Sequence, residues 1–157
     1  MELSQAEQEQ KKGDNSTGGG IRLDSTTELI MNGGNICGNI ATNSGAGIYA
    51  NGAKVTLNNS NISYNYGSST GGIYLCANSS LEMNDSVISY NISDSTNGAG
   101  GLFSAKSTVV INNGTIIDNT SKGFAGGIYS QENLTLQGKV IIKENSNTGL
   151  EKDSVTL

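Results

Sequence analysis

The tetrapeptide GGIY stands at residues 71–74 and again, unchanged, at 126–129. Variants of it occur as GGIR at 19–22, AGIY at 46–49 and GGLF at 100–103. The aliphatic third letter therefore recurs at steps of 27, 25, 29 and 26 residues. A period of this size is typical of repeat architectures, in which each unit buries its apolar face against the next unit.

A second motif, Ile-x-x-Asn, follows each copy of the first. Between the two motifs lies a short run such as VTLNN at 55–59 or LEMND at 81–85, in which apolar residues alternate with others. Apolar residues two apart have the period of a β-strand, and each apolar stretch is too short for a helix. Each unit is therefore predicted to contain three short strands and no helix. The five copies of the second motif stand at 36–39, 62–65, 88–91, 116–119 and 142–145.

These features predict an all-β fold, a single right-handed parallel β-helix (β-solenoid) of about five coils of about 26 residues, with three short strands per coil. The right hand is expected because parallel crossover connections are almost always right-handed. Coils that pair in parallel lie about 4.8 Å apart, so equivalent side chains form columns along the axis. Four core columns are predicted, beginning at Ile21, Leu29, Met31 and Ile36. The two small residues before the first column suit a bend where backbones crowd or where φ is positive.

Composition agrees with a narrow core built by repetition. Hydrophobic residues make up 34% of the 157 residues and charged residues 15%, with 22 glycines and no proline. The net charge is −5 and the basic residues are scattered, which argues against a nucleic-acid partner. No apolar run approaches the roughly 20 residues of a membrane span.

The chain divides into two unequal parts. Residues 1–17 are polar and do not fit the repeat, so they are predicted to be an N-terminal arm or a short capping helix. Residues 18–157 are predicted to be the β-helix repeat domain. Neither end resembles a cap, and no secretory signal is visible in residues 1–17, so a fragment of a longer array is expected.

Two sets of equivalent residues are candidate site residues. The first is predicted to be a structural ladder of stacked amides, formed by Asn39, Asn65, Asn91, Asn119 and Asn145. The second is predicted to point outward, because its neighbours in sequence point inward. Its rings would either stabilise adjacent strands by stacking or form a platform for sugars or a partner protein. This strip comprises Arg22, Tyr49, Tyr74, Phe103 and Tyr129, with Arg22 over the ring of Tyr49.

Catalytic and metal-binding signals are weak. Asp118 and Glu144 share a register in consecutive coils, a separation near the 5–5.5 Å of retaining glycosidases, but no His or Arg accompanies them. No catalytic residue, metal site or cofactor is therefore predicted. Cys37 and Cys76 lie on different strands two coils apart and are predicted to be free thiols. Glu28 and Lys54 are expected to form an exposed ion pair.

The alternating motifs over about residues 18–145 resemble the repeats of chlamydial-type polymorphic outer-membrane proteins, and related bacterial surface repeats with a pectin-lyase-like right-handed β-helix. This chain has Ile where the chlamydial repeats usually have Phe. The resemblance implies a secreted or surface-displayed shaft, often an adhesin segment. It also implies that lyases on this fold use clustered Asp ligands for Ca²⁺ with an Arg or Lys base, whereas here Arg22 is the only arginine.

Three functions remain open from the sequence. The leading hypothesis is a non-enzymatic structural or adhesin-like segment of a bacterial surface or secreted protein, outside the cell, with lateral binding of a glycan or a host or cell-surface protein. The alternative is a carbohydrate-active module, lyase-like or hydrolase-like, in which Asp118 would take part. Ice binding is a third hypothesis, but it requires Thr in every coil of one face, and the middle strand has Ile30, Thr56, Glu82 and Val110.

Overall fold

Each predicted strand motif pairs in parallel with the same motif of the next coil. The computed structural model describes residues 17–148 and 155–156. Ile21 pairs with Ile48, Ile48 with Ile73, and Ile73 with Leu102, which is the register that the sequence period predicts. The prediction of an all-β parallel solenoid is confirmed. The proposed arm at residues 1–17 lies, apart from Thr17, outside the described residues.

Three parallel sheets run along the solenoid axis. The first contains the GGIY motifs: β1 (Ile21–Leu23), β4 (Ile48–Asn51), β7 (Ile73–Cys76), β11 (Leu102–Ser104), β15 (Ile128–Ser130) and β19 (Val155–Thr156). The second contains the alternating runs and the Ile-x-x-Asn motifs: β2 (Glu28–Cys37), β5 (Lys54–Ser63), β8 (Ser80–Asn84), β9 (Val87–Ser89), β12 (Thr108–Asn112), β13 (Thr115–Ile117), β16 (Leu134–Gln137) and β17 (Ile141–Lys143). The third follows each ladder asparagine: β3 (Ile40–Ala41), β6 (Tyr66–Gly67), β10 (Ile92–Ser93), β14 (Thr120–Ser121) and β18 (Ser146–Asn147).

The first two coils have three strands each, the predicted number, whereas the third to fifth coils have four. The two-residue strands of the third sheet were not predicted, because two residues carry no readable alternation. In the first two coils the second and third predicted strands merge into one, β2 and β5, of 10 residues each. Within the described residues no helix is long and apolar enough to cross a membrane.

The core is a narrow tube of stacked aliphatic side chains. Ile48, Ile73, Leu102 and Ile128 are all fully buried in one column, and the other three predicted columns also line the tube. The exception is Leu136, predicted to be the last member of the column that begins at Met31, which is 48% exposed. A further inward column, from Leu23 through Ala50 to Leu75, was not predicted. Repetition thus buries apolar area that a chain of this composition could not bury in a globule.

The second glycine of the GGIY motif is required by close approach. A Cβ added at Gly47, Gly72 or Gly101 would lie 2.7, 2.2 or 2.6 Å from the carbonyl oxygen of the equivalent glycine in the next coil. The same Cβ would lie 3.1–3.3 Å from the amide group of a ladder asparagine. Of the two predicted explanations, crowding is therefore the correct one, and it links the two sequence motifs: the glycine makes room for the asparagine.

Candidate functional site: stacked side chains of the solenoid

The predicted amide ladder lies inside the turn between the second and third sheets. Asn91 is typical: its Nδ2 donates to the Oδ1 of Asn119 at 2.9 Å and to the carbonyl of Ile62 at 2.9 Å. Its backbone N–H donates to the same Oδ1 at 3.0 Å. Asn65, Asn91, Asn119 and Asn145 have no exposed surface. Buried amides with every group paired define the turn, and we call this column the inner Asn ladder.

A second ladder lies on the outer surface of the second sheet. Asn58 donates to Asn32 at 2.8 Å, Asn84 to Asn58 at 2.8 Å, and Asn112 to Asn84 at 2.7 Å, in each case from Nδ2 to Oδ1. This outer Asn ladder donates toward the N-terminal coil, whereas the inner ladder donates toward the C-terminal coil. Sequence reasoning missed it, although an Asn directly follows the second apolar residue of these runs, at positions 32, 58, 84 and 112.

The predicted aromatic strip forms a continuous stack on the first sheet. Tyr49 and Tyr74 have ring centroids 5.5 Å apart and nearly parallel planes, and Tyr74 and Phe103 are 5.0 Å apart. Phe103 and Tyr129 follow at 4.8 Å. The stacking accords with the register, while the binding role of the strip stays a prediction.

Much of the strip is covered. Phe103 is only 7% exposed, and Phe124, which the sequence analysis did not single out, stacks on Tyr129 with the centroids 4.7 Å apart. Burial raises the pKa of Tyr49 to about 12, aided by a contact in which the Cys76 thiol lies 3.7 Å from its hydroxyl. The strip thus has a large share of its surface in contacts within the solenoid.

Arg22 heads the strip as predicted. Its guanidinium carbon lies 5.4 Å from the centre of the Tyr49 ring, within the range of a cation–π contact. The guanidinium also pairs with Asp24 at 3.1 Å, and this hydrogen bond raises the pKa of Arg22 and lowers that of Asp24.

A third column of side chains lies at the position just before each inner-ladder asparagine. Its members all have left-handed backbones: Gly38, Tyr64, Tyr90, Asp118 and Glu144, with φ between 55° and 69°. The rings of Tyr64 and Tyr90 are stacked 4.9 Å apart with planes 6° from parallel. A hydrogen bond to Asp118 raises the pKa of Tyr90. Glu144 lies 3.6 Å from Lys143 in an ion pair.

The carboxylates that the sequence analysis compared with a glycosidase pair therefore lie in one column, as their register predicts. Asp118 interacts with Tyr90, whose pKa it raises, and Glu144 pairs with Lys143. Among the described residues, no group of three or more His, Cys, Asp or Glu side chains is arranged to hold a metal ion.

The remaining predicted contacts can be located directly. Lys54 and Glu28 form an ion pair at 2.8 Å, and Cys37 and Cys76 are free thiols, as predicted. The ion pair borders an open surface groove of about 340 Å³, lined largely by polar residues that include Thr27 and Asn78.

Comparison with known families agrees with this geometry. The family model described as the right handed beta helix region matches residues 8–154, so the chain belongs to the right-handed β-helix family. The predicted right-handed solenoid is confirmed by this match. Neither the curated proteins nor the solved structures yielded a match to the chain.

Proposed function

We propose that this chain is a rigid, non-enzymatic shaft segment of a bacterial surface or secreted protein, positioned outside the cell, that carries lateral binding sites for a glycan or a host or cell-surface protein. The inner Asn ladder is the observation that supports the proposal most directly. Its amides connect every pair of neighbouring coils from Asn39 to Asn145. Such continuous coupling resists bending between coils, as a spacer requires.

The side-chain contacts of the two carboxylates also support a structural role. Asp118 raises the pKa of Tyr90 through a hydrogen bond, and Glu144 forms an exposed ion pair with Lys143 at 3.6 Å. Both contacts link groups in the same column or the same strand end, and neither points to a bound substrate.

Turnover assays test the non-enzymatic part of the proposal. The protein is incubated with neutral and acidic polysaccharides, with and without Ca²⁺, and reducing ends and unsaturated products are measured. We expect no turnover above buffer in the parent or in Asp118→Asn. Cleavage that Asp118→Asn abolishes would replace the proposal with the carbohydrate-active alternative.

Labelling of the source cells tests the location. An antibody raised against residues 18–145 is applied to intact and to permeabilised cells, with a cytoplasmic protein as the control. We expect equal labelling of both preparations, or recovery of the antigen from the medium. Labelling that requires permeabilisation would contradict a surface or secreted role.

The predicted strip has its own test. The double variant Tyr74→Ala/Tyr129→Ala is compared with the parent for retention on cell surfaces, with circular dichroism to establish that both are folded. Reduced retention of the folded variant would assign lateral binding to the strip, and equal retention would leave the strip a purely structural stack.

A further inference from the structure

The column before the inner Asn ladder carries two exposed tyrosines. Tyr64 is 64% exposed and Tyr90 is 46% exposed, in a protein with only eight Tyr and Phe residues. The rings of the predicted strip on the first sheet are less exposed, and Phe103 among them is only 7% exposed. Exposed aromatic side chains grouped on one face typically mark a binding surface.

The backbone conformation at these tyrosines is energetically unfavourable. Tyr64 and Tyr90 both have φ of 55°, in the left-handed region that glycine occupies without penalty and that a bulky residue rarely adopts. The equivalent residue of the first coil is Gly38, which shows that the turn itself does not need an aromatic residue. Strain of this kind persists where the surrounding structure or a role of the side chain offsets it.

One ring face of Tyr64, here called its open face, carries no stacked ring from the described residues. Tyr90 covers the face that points along the axis toward the third coil, with the ring centroids 4.9 Å apart. The opposite face points toward the first coil, where the same column contains Gly38 and therefore no side chain. Among the described residues, Tyr90 is the only ring that stacks on Tyr64. Because coils that pair in parallel lie about 4.8 Å apart, we infer a step about one ring thick at Gly38, in which a flat ligand ring would continue the stack.

The surroundings of this step combine apolar surface with hydroxyl groups. Ile40 and Tyr66, in the adjacent column, are 49% and 41% exposed. Burial and a hydrogen bond to Asp94 raise the pKa of Tyr66, and Asp94 is itself paired with Lys122. An apolar face bordered by hydroxyls matches a sugar ring, which presents C–H groups on its face and hydroxyls at its rim.

The local charge selects among sugars. Asp118 lies two coils along the column from Tyr64, and it is in none of the ion pairs of the described residues. Lys122, whose charge acts on Tyr66, forms an ion pair with Asp94. The surface is therefore locally negative and disfavours anionic glycans, because like charges repel across a binding interface.

We propose that Tyr64, Tyr66 and Tyr90, here called the exposed tyrosine surface, bind a neutral glycan, one sugar ring of which lies on the open face of Tyr64 above Gly38. The inference rests on the proposed function, since it assigns the lateral binding of the shaft to one surface and one ligand class. This ligand class differs from the acidic polysaccharides that the lyase-like alternative requires.

Saturation-transfer NMR and calorimetry with defined oligosaccharides test the proposal. The probes are cellohexaose, mannohexaose and N-acetylchitohexaose as neutral glycans and hexagalacturonate as the acidic glycan. We expect saturable binding of at least one neutral probe and at least tenfold weaker binding of hexagalacturonate. No saturable binding of any neutral probe, or tighter binding of hexagalacturonate, would overturn the proposal.

The variant Tyr64→Asn separates binding from folding. Asparagine tolerates the left-handed backbone, so the substitution removes the ring without adding strain. We expect binding to weaken about tenfold, the loss of one aromatic stacking contact, while the unfolding midpoint stays close to that of the parent. Tyr64→Phe, which keeps the ring, is expected to bind within threefold of the parent. Unchanged binding by Tyr64→Asn would show that the ring face is not used.

Analytical ultracentrifugation tests whether a second copy of the chain, and not a glycan, occupies this surface. If the parent associates with itself and Tyr64→Asn does not, while no neutral probe binds, the exposed tyrosine surface is an interface between copies of the chain and the glycan proposal is wrong. This outcome leaves the proposed shaft intact. Polysaccharide turnover would contradict the shaft without bearing on Tyr64, so the two failures are distinguishable.

Discussion

The inner and outer Asn ladders use the same residue and the same side-chain hydrogen bond, but they differ in burial. Asn91 is 0% exposed, whereas in the outer ladder Asn32 is exposed and the other members are half-buried. Asn91 also pairs with a backbone carbonyl of the preceding coil, and its Oδ1 accepts the backbone N–H of Asn65. In the outer ladder each amide instead links mainly to its two neighbours in the column.

The difference shows that regularity in sequence does not measure energetic importance. Breaking a buried hydrogen bond leaves groups without water or partner, while an exposed group recovers its hydrogen bonds from solvent. The two tyrosine stacks repeat the contrast, because Tyr49 and Tyr74 lie in a covered strip whereas Tyr64 and Tyr90 face solvent. Burial decides which of two similar columns supports the fold and which is available to a ligand.

The largest expected effect comes from removing an amide of the inner ladder. Asn91→Ala leaves the N–H groups of Asn65, the carbonyl of Ile62 and one side of Asn119 without their partners. We expect the free energy of unfolding to fall by about 4 kcal/mol. Asn58→Ala in the outer ladder is the matched control, with an expected loss below about 1 kcal/mol. Urea unfolding followed by circular dichroism measures both, and equal losses would contradict the contrast between the ladders.

A slightly smaller effect is expected from crowding the inner ladder. The Cβ of Gly101→Ala would lie 2.6 Å from the carbonyl oxygen of Gly127 and 3.2 Å from the amide of Asn119. The clash can be relieved only if the two coils separate. We therefore expect the free energy of unfolding to fall by about 3 kcal/mol. Ala46→Gly, in the neighbouring column of small residues, removes one methyl and is expected to cost about 1 kcal/mol. A neutral Gly101→Ala would show that the turn has room for a side chain.

Ionisation of Tyr49 in the aromatic strip is expected to lower the stability of the protein in alkali. The folded pKa of Tyr49 is about 12, above its unfolded value of about 10. Its stabilising contribution is therefore complete below pH 10 and is lost as the pH rises from about 10 to 12. Over this interval we expect the free energy of unfolding of Tyr49→Phe to fall by about 1–2 kcal/mol less than that of the parent. The measurement is urea unfolding at several pH values, and parallel curves for the two proteins would contradict the assignment.

The smallest effect is a gain at the end of the outer ladder. Asn112 Oδ1 is buried and has no hydrogen-bond partner among the described residues, and its register neighbour in the next coil is Gln137. Gln137→Asn places a shorter amide where the outer ladder would continue, donating toward the N-terminal coil as its other members do. We expect a gain of about 0.5–1 kcal/mol in the free energy of unfolding. Gln137→Ala serves as the control and should give no gain.

Much of the fold could be predicted because the period appears in several independent motifs. The spacing of Ile48, Ile73 and Leu102 predicted their pairing, and the structure has that register. The inner Asn ladder was predictable because every coil has Asn at one position. The outer ladder escaped notice because polar residues at outward strand positions are common and imply no contact.

Features that depend on turns and loops could not be predicted. Phe124 lies in the segment before the last GGIY motif, and its contact with Tyr129 depends on how that segment folds back. The exposure of Tyr64 depends on a left-handed backbone and on the glycine at position 38 in the coil before it. Neither feature follows from a period, because the period specifies which residues are stacked and not which stacks are covered.

The sequence by itself determined the coil length, the residues that pair between coils and the aliphatic columns of the core, because parallel pairing brings every residue next to its equivalent one period away. Only the tertiary structure decided which polar and aromatic columns are buried and which face solvent, because burial depends on the path of the turns and on contacts between segments of different length. The inner Asn ladder and the exposed tyrosine surface lie within two residues of each other in every coil that has both, yet the turn places one inside the solenoid and the other outside.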